Sequence, residues 1–423
     1  MGVGRTRAVP IGRGRVKILL VGSGGREHSL GWKLARSDRV SELMSLPGNP
    51  GLAEVGPLVE GIDPTDVGAV AALARIQGVD LVVVGPEAPL AAGVVDAVAA
   101  LGIPAFGPTR AAARLESSKT YAKEVMRKAG VLTGESWAFT EPGPAKMHLD
   151  HSTSPYVVKA DGLAAGKGVL VTDDREEAMV GVDYCFEGAF GQAGSLVLIE
   201  EYLPGPEISV FAVCTDQGAV LLEPARDYKR LLDDDRGPNT GGMGSFSPVG
   251  NLPAGLLDDV MSGVIEPTLA QMEAEGSPFR GFLYAGMVLT EDGPKVLEFN
   301  VRLGDPECQA ILPRLESDLL DVLEGAQPEW SEKATVNVVL AAEGYPTSPA
   351  RGAAIRGLDQ VPDDVIVFHA GTKVQEGKLV VDGGRVLNLV GTGETVEQAR
   401  ARAYEAIAKV AWPGAQFRTD IAG

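Results

Sequence analysis

Residues 298–308 read EFNVRLGDPEC, and apolar and strongly polar side chains alternate along the first half of this stretch. A period of two is the pattern of a β-strand, whose side chains point in turn to its two faces. The sequence therefore predicts a strand that ends at Gly304 and carries Glu298, Asn300 and Arg302 on one face. The side chains predicted to be buried on the other face are Leu297, Phe299, Val301 and Leu303.

The polar face of this strand is a candidate ligand site. A solvated strand face usually carries Thr, Lys or Ser, and these residues tolerate any order. Glu298 and Asn300 instead offer the oxygen ligands that hard cations prefer, and Arg302 adds a planar fork that matches phosphate. On these three residues alone, a solvated edge strand remains the alternative.

Length and composition describe an ordinary globular protein of about three domains. The 423 residues are 45% hydrophobic and 22% charged, and the formal net charge is −19. So acidic a chain argues against sequence-independent binding to nucleic acids or anionic membranes. It still leaves room for a local basic pocket that binds a phosphorylated metabolite.

The spacing of cysteine and histidine indicates neither a disulfide framework nor a zinc site. The three cysteines form no C-x-x-C pair, and the four histidines form no metal-spaced cluster. Such cysteines fit a reducing compartment, and no apolar run is long enough to span a bilayer. We therefore expect a cytoplasmic protein without nucleic-acid or membrane partners, active as a monomer or a small homo-oligomer.

A basic, acid-free segment opens the chain, and strand and helix patterns then alternate. Residues 1–15 lack the apolar core of a secretory signal, and we expect them to form a disordered extension. From residue 16, buried-strand runs such as VKILLVG alternate with helical runs, which is typical of a parallel sheet with helices on both faces. The pattern predicts a doubly wound, Rossmann-like domain over residues 16–116.

Beyond this domain the pattern changes to strands joined by glycine loops, up to a boundary near residues 325–333. A β-rich C-terminal domain is expected over residues 335–423. Within it, Asp-Gly-Gly at residues 382–384 predicts a hairpin turn. A final helix is expected to open at Thr395, because Gln398 follows at the spacing of a capping box.

The turn VGSGGREH at residues 21–28 stands where a dinucleotide-binding fingerprint would. The third glycine of G-x-G-x-x-G is replaced by Glu27, and residues 47–49 supply no acid after the second strand. Both departures argue against NAD. Backbone N–H groups at a helix N-terminus still suit a phosphate, with a ligand-free tight turn as the alternative.

Two further glycine loops are candidate binding elements. DGLAAGKGV at residues 161–169 does not fit a Walker A loop, but Lys159 and Lys167 bracket it, which favours a lid that closes over a triphosphate. The loop at residues 236–248 contains Gly241, Gly242 and Gly244. Such a run of glycines suggests close approach of the backbone to a bound ligand. For the loop at residues 161–169, a flexible loop without a ligand is the alternative.

Taken together, these stretches closely resemble the phosphoribosylamine–glycine ligase (glycinamide ribonucleotide synthetase) family of the ATP-grasp superfamily. The match runs from about Lys17 to the C-terminus, and nine motifs in order make it specific. The motifs are GSGGREH, PGNPG, VGPEAPL, KADGLAAGKGV, GPNTGGMG, GFLYAG, EFNVRLGDPE, FHAGT and GGRVL.

The resemblance implies a multidomain fold of α/β and α+β type. Residues 16–116 would be a pre-ATP-grasp domain that binds phosphoribosylamine, and residues 117–328 an ATP-grasp region. That region would divide into a lid at about 133–203 and a central sheet at about 204–328, before the C-terminal domain.

The implied reaction is the ATP-dependent joining of glycine to 5-phosphoribosylamine, a step of de novo purine biosynthesis. Glycine would be activated as glycyl phosphate and attacked by the amine, giving glycinamide ribonucleotide, ADP and phosphate. The implied cofactors are ATP and Mg²⁺ or Mn²⁺.

The resemblance also assigns residues to roles. Glu298 and Asn300 would bind the metal, Arg302 would stabilise charge on the transferring phosphoryl group, and Asp305 and Asp227 would hold the glycine ammonium. The residues assigned to ATP are Lys119, Lys159, Gly162, Gly166, Lys167, Gly168, Glu200, Glu201, Leu203 and Glu207. The residues assigned to the other substrates are Gly24, Gly25, Asn49, Glu87, Gly304 and Pro306.

Two departures from the family pattern leave details open. Ala225-Arg226 replaces the usual Ser-Gln before Asp227, and residues 282–289 carry no third acidic metal ligand. The nearest alternative is another ATP-grasp carboxylate–amine ligase or a carboxylase. A Rossmann-type dehydrogenase and a non-catalytic binding protein are more distant alternatives.

Overall fold

The computed structural model describes residues 14–163, 168–189 and 191–423. Residues 1–13 of the predicted extension lie outside the described residues, and so do Gly166 and Lys167. None of the helices in the described part combines the length and the apolar character that a membrane crossing demands.

The N-terminal unit is a parallel sheet with strand order β2-β1-β3-β4, flanked by helices. Its elements are β1 (Val16–Gly22), α1 (Gly25–Leu34), β2 (Val40–Pro47), α2 (Val67–Gln77), β3 (Leu81–Val84), α3 (Glu87–Ala92), α4 (Val94–Ala99) and β4 (Ala105–Phe106). Alternate residues of β1 enter different cores, since Ile18 and Leu20 pack with α1 and Leu19 and Val21 pack with α2. A strand buried on both faces is typical of doubly wound sheets, and this confirms the predicted fold class.

Two helices lead from this sheet into a small α/β unit, which we call the lid after the expectation for this part of the chain. They are α5 (Arg114–Ser117) and α6 (Lys119–Ala129). The lid consists of β5 (Ser136–Phe139), α7 (Pro142–Asp150), β6 (Tyr156–Ala160), β7 (Val169–Thr172), α8 (Arg175–Tyr184), a π-helix (Cys185–Ala189), a 3-10 helix (Gly191–Ser195) and β8 (Val197–Glu200). Its antiparallel sheet, in the order β5-β8-β6-β7, has a hydrophobic core of its own around Leu149, Val158 and Val182.

A second antiparallel sheet, β10-β9-β15-β16, forms the centre of the molecule. The elements of this section are β9 (Glu207–Thr215), β10 (Gly218–Leu221), β11 (Arg226–Asp227), β12 (Arg230–Leu232), β13 (Arg236–Asn239), β14 (Gly244–Ser247), α9 (Leu256–Val260), a π-helix (Met261–Ile265), α10 (Glu266–Ala274), β15 (Gly281–Thr290), β16 (Gly293–Asn300), α11 (Glu307–Ile311), a 3-10 helix (Leu312–Arg314) and α12 (Leu319–Leu323). Residues such as Val210 and Leu283 share one core with Val82 of the N-terminal sheet. The two sheets therefore pack as one body.

The strand predicted at residues 297–303 forms, but with a different register. Gly286 of β15 lies opposite Glu298 while Met287 lies opposite Val296, so Leu297 is the extra residue of a β-bulge. Val296, and not Leu297, is fully buried in the core, while Leu297 is only partly buried. The prediction that Leu297 lies in the core is therefore wrong, and the strand ends at Asn300 rather than at Gly304.

Phe299, Val301 and Leu303 are buried as predicted. The alternation of apolar and polar residues thus describes the last part of the strand and the segment that follows it. It fails only on the N-terminal side of the bulge, because an inserted residue reverses the face of every side chain before it.

The C-terminal unit is a five-stranded antiparallel sheet with the order β11-β14-β17-β21-β18. Its elements beyond β14 are β17 (Ala334–Ala341), a 3-10 helix (Leu358–Gln360), β18 (Ile366–His369), β19 (Thr372–Gln375), β20 (Lys378–Val381), β21 (Arg385–Gly393) and α13 (Val396–Ile407). Two strands from the middle of the chain thus complete this sheet. Helix α13 packs on it and begins where predicted, with Thr395 Oγ1 accepting a hydrogen bond from the backbone N–H of Gln398.

The hairpin predicted at residues 382–384 is wrong. β20 pairs with β19, whereas β21 pairs with β17 and β18, so Asp-Gly-Gly connects strands of two different sheets. The observed hairpin lies earlier, where Glu376 and Gly377 adopt φ of 51° and 72° between β19 and β20. Two consecutive residues with positive φ suit a tight two-residue turn.

The bulge predicts an order of stability effects. Val296→Ala should cost about 2 kcal/mol, because it removes buried methyl groups and leaves a cavity, while Leu297→Ala should cost less than about 1 kcal/mol. Urea unfolding of both variants beside the unmodified protein measures the difference. An unbroken strand would give the reverse order.

Candidate active site

The polar face of β16 carries an anionic carboxylate that faces three lysines. Within residues 14–163, 168–189 and 191–423, the Glu298 carboxylate forms no hydrogen bond or ion pair. Burial raises its pKa, but Lys229, Lys159 and Lys119 outweigh burial and hold the pKa of Glu298 below its ordinary value. The carboxylate is therefore charged at neutral pH, and the surrounding lysines suit a polyanionic ligand.

The three lysines reach this point from separate elements. Lys119 is the first residue of α6, Lys159 lies in β6 of the lid, and Lys229 follows β11. Burial lowers the pKa of Lys119, against the opposing effect of Glu298, and its Nζ donates to the carbonyl of Gly162 at 3.0 Å. Of these, sequence analysis had left Lys229 without a role, although it follows Asp227 by two positions.

Lys159 belongs to a buried ion-pair cluster between the lid and helix α6. Glu200 Oε2 lies 3.0 Å from Lys159 Nζ and 2.9 Å from Lys123 Nζ. Burial raises the pKa of Glu200, but the two lysines bring it below its ordinary value. The other oxygen of Glu200 is buried and has no hydrogen-bond partner among the described residues. Lys123 was missed, although it follows Lys119 by four residues and so shares its helix face.

Residues assigned to ATP also form the connection from the lid to the central sheet. The backbone N–H of Glu201 donates to the carbonyl of Glu135 at 2.9 Å, and the side-chain carboxylate of Glu201 accepts from the backbone N–H of Glu135 at 3.1 Å. Leu203 is buried, and Glu207 forms an ion pair with Lys229 at 2.7 Å.

In the glycine loop, the Gly168 carbonyl accepts from the N–H of Ala160 at 2.8 Å, which pairs the ends of β6 and β7. Gly162, on the other side of the loop, contacts Lys119 as described. Gly166 and Lys167 lie outside the described residues, so their predicted roles stay predictions.

Arg302 is held by four groups. Its guanidinium donates to Glu87 at 3.3 Å, to Asn300 Oδ1 at 3.3 Å and to the carbonyl of Leu303 at 3.2 Å, and it forms an ion pair with Glu116 at 2.9 Å. Two carboxylates therefore balance the charge of Arg302. Its hydrogen bond to Oδ1 orients the Asn300 amide.

Glu116 was missed because it lies outside every motif in the sequence. It is buried, it accepts a hydrogen bond from the N–H of Val301 at 2.8 Å, and it forms an ion pair with Arg302. Burial raises the pKa of Glu116 to about 7, against the opposing charge of Arg302. Glu116 thus ties the helix before Lys119 to the end of the strand that carries Asn300.

The glycine turn before α1 is filled by a side chain of the protein. Glu27 accepts from the N–H of Gly24 at 2.7 Å, and a Cβ on Gly22 or Gly85 would lie 2.3 Å or 2.2 Å from the Glu27 side chain. These glycines therefore make room for Glu27, the residue that breaks the dinucleotide fingerprint. A phosphate at Gly24 and Gly25 would compete with this carboxylate, and that assignment stays a prediction.

Asn49 and Glu87, which were assigned to the ribose, have partners within the protein. Asn49 is buried, and its amide N–H₂ donates to the carbonyls of Ser23 at 2.9 Å and His369 at 2.8 Å. Glu87 pairs with Arg302, and it lies 3.8 Å from Arg26, another residue that sequence analysis missed. Both residues therefore hold the N-terminal domain against other parts of the chain.

Asp305 is fixed through both carboxylate oxygens. Oδ1 accepts from Gln309 at 2.7 Å, and Oδ2 lies 3.2 Å from Arg385. Burial raises the pKa of Asp305, but Arg385 and Arg26 bring it below its ordinary value. Beside it, the carbonyl of Pro306 accepts from Ser245 at 2.7 Å.

Asp227, the other acid assigned to the glycine ammonium, has different surroundings. Burial raises its pKa, Lys229 opposes this, and Glu207 and Glu298 add to it. Burial and Asp227 together raise the pKa of Glu307 to about 7.

Sequence analysis had missed Glu307, which accepts from Ser209 at 3.3 Å. A Cβ on Gly304 would lie 2.5 Å from its carboxylate, so that glycine admits Glu307. The structure thus groups Asp227 and Glu307 with the lysines around Glu298, and it groups Asp305 with Arg385.

The glycines at residues 241–244 approach the protein itself. A Cβ on Gly241 would lie 3.1 Å from Cζ of Arg385, and one on Gly242 would lie 2.3 Å from Cδ of Pro306. A Cβ on Gly244 would lie 2.8 Å from the carbonyl of Asn337. Protein groups therefore account for the absence of a side chain at these glycines, and the expectation that a bound ligand approaches their backbone stays a prediction.

The part of the chain that the structure describes contains no group of three or more His, Cys, Asp or Glu side chains arranged to hold a metal ion. A cation at Glu298 and Asn300 would therefore draw few ligands from the protein.

Family models match nearly the whole chain. Residues 16–116 match the N domain of phosphoribosylglycinamide synthetase, residues 117–308 match its ATP-grasp (A) domain, and residues 335–423 match its C domain.

Known proteins give the same result. The chain is 47% identical over 417 residues to a phosphoribosylamine–glycine ligase of Brucella melitensis, covering 96% of this chain and 97% of that protein. A crystal structure of the Thermotoga maritima phosphoribosylamine–glycine ligase superposes with a TM-score of 0.82 at 36% identity, covering 96% of this chain and 100% of that one.

A biotin carboxylase domain of 2-oxoglutarate carboxylase from Hydrogenobacter thermophilus also superposes, with a TM-score of 0.70 over 96% of this chain and 92% of that one. At 16% identity it shows a shared fold alone.

Two buried histidines join the N-terminal domain to the C-terminal sheet. His28 Nδ1 accepts from the N–H of His369 at 2.8 Å. Burial, and the proximity of His369, lower the pKa of His28 to about 3, and burial lowers the pKa of His369 to about 4. Both rings are therefore neutral in the folded protein at pH values where the unfolded chain would protonate them.

This pair predicts acid sensitivity. Stability should fall as the pH drops from about 6.5, because the unfolded state then binds more protons, by at most about 1.4 kcal/mol per pH unit for each histidine. Urea unfolding between pH 7.5 and 5.5 should show a shallower pH slope for His28→Asn than for the unmodified protein. His151→Asn, at an exposed position, is the control and should keep the full slope. Equal slopes for all three proteins would contradict the assignment.

Proposed function

The chain belongs to the phosphoribosylglycinamide synthetase family, and we propose that its site joins glycine to 5-phosphoribosylamine while ATP is cleaved to ADP and phosphate. The observation that carries this proposal is the charged Glu298 carboxylate, which has Asn300 beside it and Lys119, Lys159 and Lys229 around it. An anionic oxygen ligand inside a cluster of ammonium groups fits a metal-bound polyphosphate.

The residues at this face fit a divalent cation. Glu298 is ionised and has no protein partner among the described residues, and Arg302 holds the oxygen of Asn300 in one orientation. Two protein oxygens suit Mg²⁺ or Mn²⁺, because Mg²⁺ completes its octahedron with water and phosphate oxygens. When bound, such an ion would neutralise charge on the phosphates during transfer.

ATP would lie between the lid and the central sheet. Lys119 and Lys159 would contact its phosphates, with Lys229 adding positive charge from the opposite side. One oxygen of Glu200 is buried and has no hydrogen-bond partner within the described part of the chain, and the adenine amino group would satisfy this acceptor next to the backbone of Glu201. Closure of the separately packed lid would exclude water from the reactive acyl phosphate.

Glycine would lie at Asp305. Its ammonium would pair with this carboxylate while its own carboxylate attacks the γ-phosphoryl group, giving glycyl phosphate and ADP. The amine of phosphoribosylamine would then attack the glycyl carbonyl carbon, and phosphate would leave as the amide forms. Gly304 and Pro306 would line this position through their backbone, while Asp227 would act from the side of Glu298.

The phosphoribosylamine would approach from the N-terminal domain. A Cβ on Gly24 would lie 3.4 Å from Oδ2 of Asp305, which places the turn before α1 directly beside the proposed glycine position. Gly24 and Gly25 would then receive the phosphate after displacement of Glu27, with Asn49 and Glu87 near the ribose.

We further propose that the protein works in the cytoplasm, as a monomer or a small homo-oligomer. All three cysteines are buried and free, which fits a reducing compartment.

The substrates provide the first test of this function. ADP release should require ATP, a divalent cation, glycine and phosphoribosylamine together, because the amine must consume the acyl phosphate before the site can turn over. A coupled ADP assay with alanine and β-alanine in place of glycine measures selectivity. Equal turnover with either, or without the phosphoribosyl group, would refute the assignment.

The second test is Glu298→Gln. It should leave the melting temperature nearly unchanged and lower kcat by roughly a hundred- to a thousandfold, since one transition-state electrostatic contact is worth about 3–4 kcal/mol. Raised Mg²⁺ should restore part of the rate. Glu291→Gln, at an exposed position before β16, is the matched control and should retain full activity. Unchanged kcat in Glu298→Gln would place the metal elsewhere.

A further inference from the structure

The C-terminal sheet contributes an arginine to the proposed glycine position. Arg385 is the first residue of β21, and its side chain is 18% exposed. Nη1 donates to the carbonyls of Gly241 at 2.6 Å and Asp305 at 2.5 Å, and Nη2 lies 3.2 Å from Oδ2 of Asp305. One guanidinium thus binds two segments that are 64 residues apart in sequence (305 minus 241).

A second side chain of the C-terminal domain completes the hold on Gly241. The backbone N–H of Gly241 donates to the hydroxyl of Tyr345 at 2.9 Å. Tyr345 and Arg385 together therefore bind both backbone polar groups of Gly241. The absence of a side chain at Gly241 is what permits the approach, because a Cβ there would lie 3.1 Å from Cζ of Arg385.

Asp305 has little freedom as a result. Arg385 holds Oδ2 and the backbone carbonyl, and Gln309 holds Oδ1 while also donating to Asn388 of the C-terminal sheet at 3.3 Å. A carboxylate fixed in this way does not have to be ordered when it binds an ammonium group.

Arg302, the other arginine near this position, binds carboxylates other than Asp305. Two carboxylates, Glu87 and Glu116, balance the charge of Arg302, and its guanidinium also donates to the carbonyl of Leu303 and to Asn300 Oδ1. Arg385 faces one carboxylate, that of Asp305, among the ion pairs formed by the described residues.

We propose that Arg385 is a positioning residue for glycine, through which the C-terminal domain sets the orientation of Asp305 and of the loop at Gly241. The role rests on the proposed function, because it assumes that Asp305 binds the glycine ammonium. It is a specificity role for a small zwitterion, and Arg385 acts through Asp305 rather than on the reacting atoms.

The test is the glycine dependence of ADP release by Arg385→Gln. KM for glycine should rise at least about tenfold and kcat/KM for glycine should fall roughly a hundredfold, as expected for a displaced substrate contact. KM for ATP should change less than about twofold. Arg385→Lys keeps the charge but loses the fork, so its effect should be intermediate. Arg351→Gln, an exposed arginine of the same domain, should behave as the unmodified protein.

A merely structural role predicts another result. Arg385→Gln would then melt at a lower temperature, while its folded fraction kept the normal KM for glycine, and this would overturn the proposal. If Arg385→Gln does not fold, Arg385→Lys and Tyr345→Phe replace it, and an unchanged KM for glycine in both would overturn the proposal equally. Absence of glycine-dependent ADP release by the unmodified protein would instead refute the proposed function.

Discussion

The structure depends on the pairing of charges that gather where β16 ends. Ionised groups can be taken out of water only when opposite charges and hydrogen bonds compensate them. Arg302 finds its partners in Glu87 of the N-terminal domain and Glu116 of the linking helix, and Asp305 finds its partner in Arg385 of the C-terminal sheet. One short segment therefore holds three regions of the chain together, and the loss of either arginine would leave a carboxylate unpaired.

Glu298 differs from these groups, and this difference is the basis of the proposed site. Its carboxylate has no hydrogen bond or ion pair among the described residues, yet three lysines from separate elements keep it ionised. A carboxylate in this position suits a cation, and the lysines around it suit the polyanion that would accompany the cation. The lid contributes one of these lysines, Lys159, while packing around its own core, so a movement of the lid would change the proposed site without disturbing the central sheet.

The family resemblance and the structure assign some residues differently. The glycine-rich stretches at Gly24 and Gly241 suggested ligand contact, yet a Cβ at either position would meet a side chain of the protein, Glu27 or Arg385. A glycine motif reports that something comes close to the backbone, and it does not report what. The same distinction applies to Asn49, whose amide joins two domains in the described structure.

The sequence by itself determined the doubly wound N-terminal domain, the position of helix α13 and the alternation of Phe299, Val301 and Leu303, because periodicity and caps act over a few neighbouring residues. It also determined the family and the stretch that carries Glu298 and Asn300. Only the tertiary structure decided the bulge at Leu297, the entry of β11 and β14 into the C-terminal sheet, and the partners of Arg302 and Asp305. Those features depend on pairings between residues far apart in the chain, and no local pattern encodes which distant charge or strand will satisfy them.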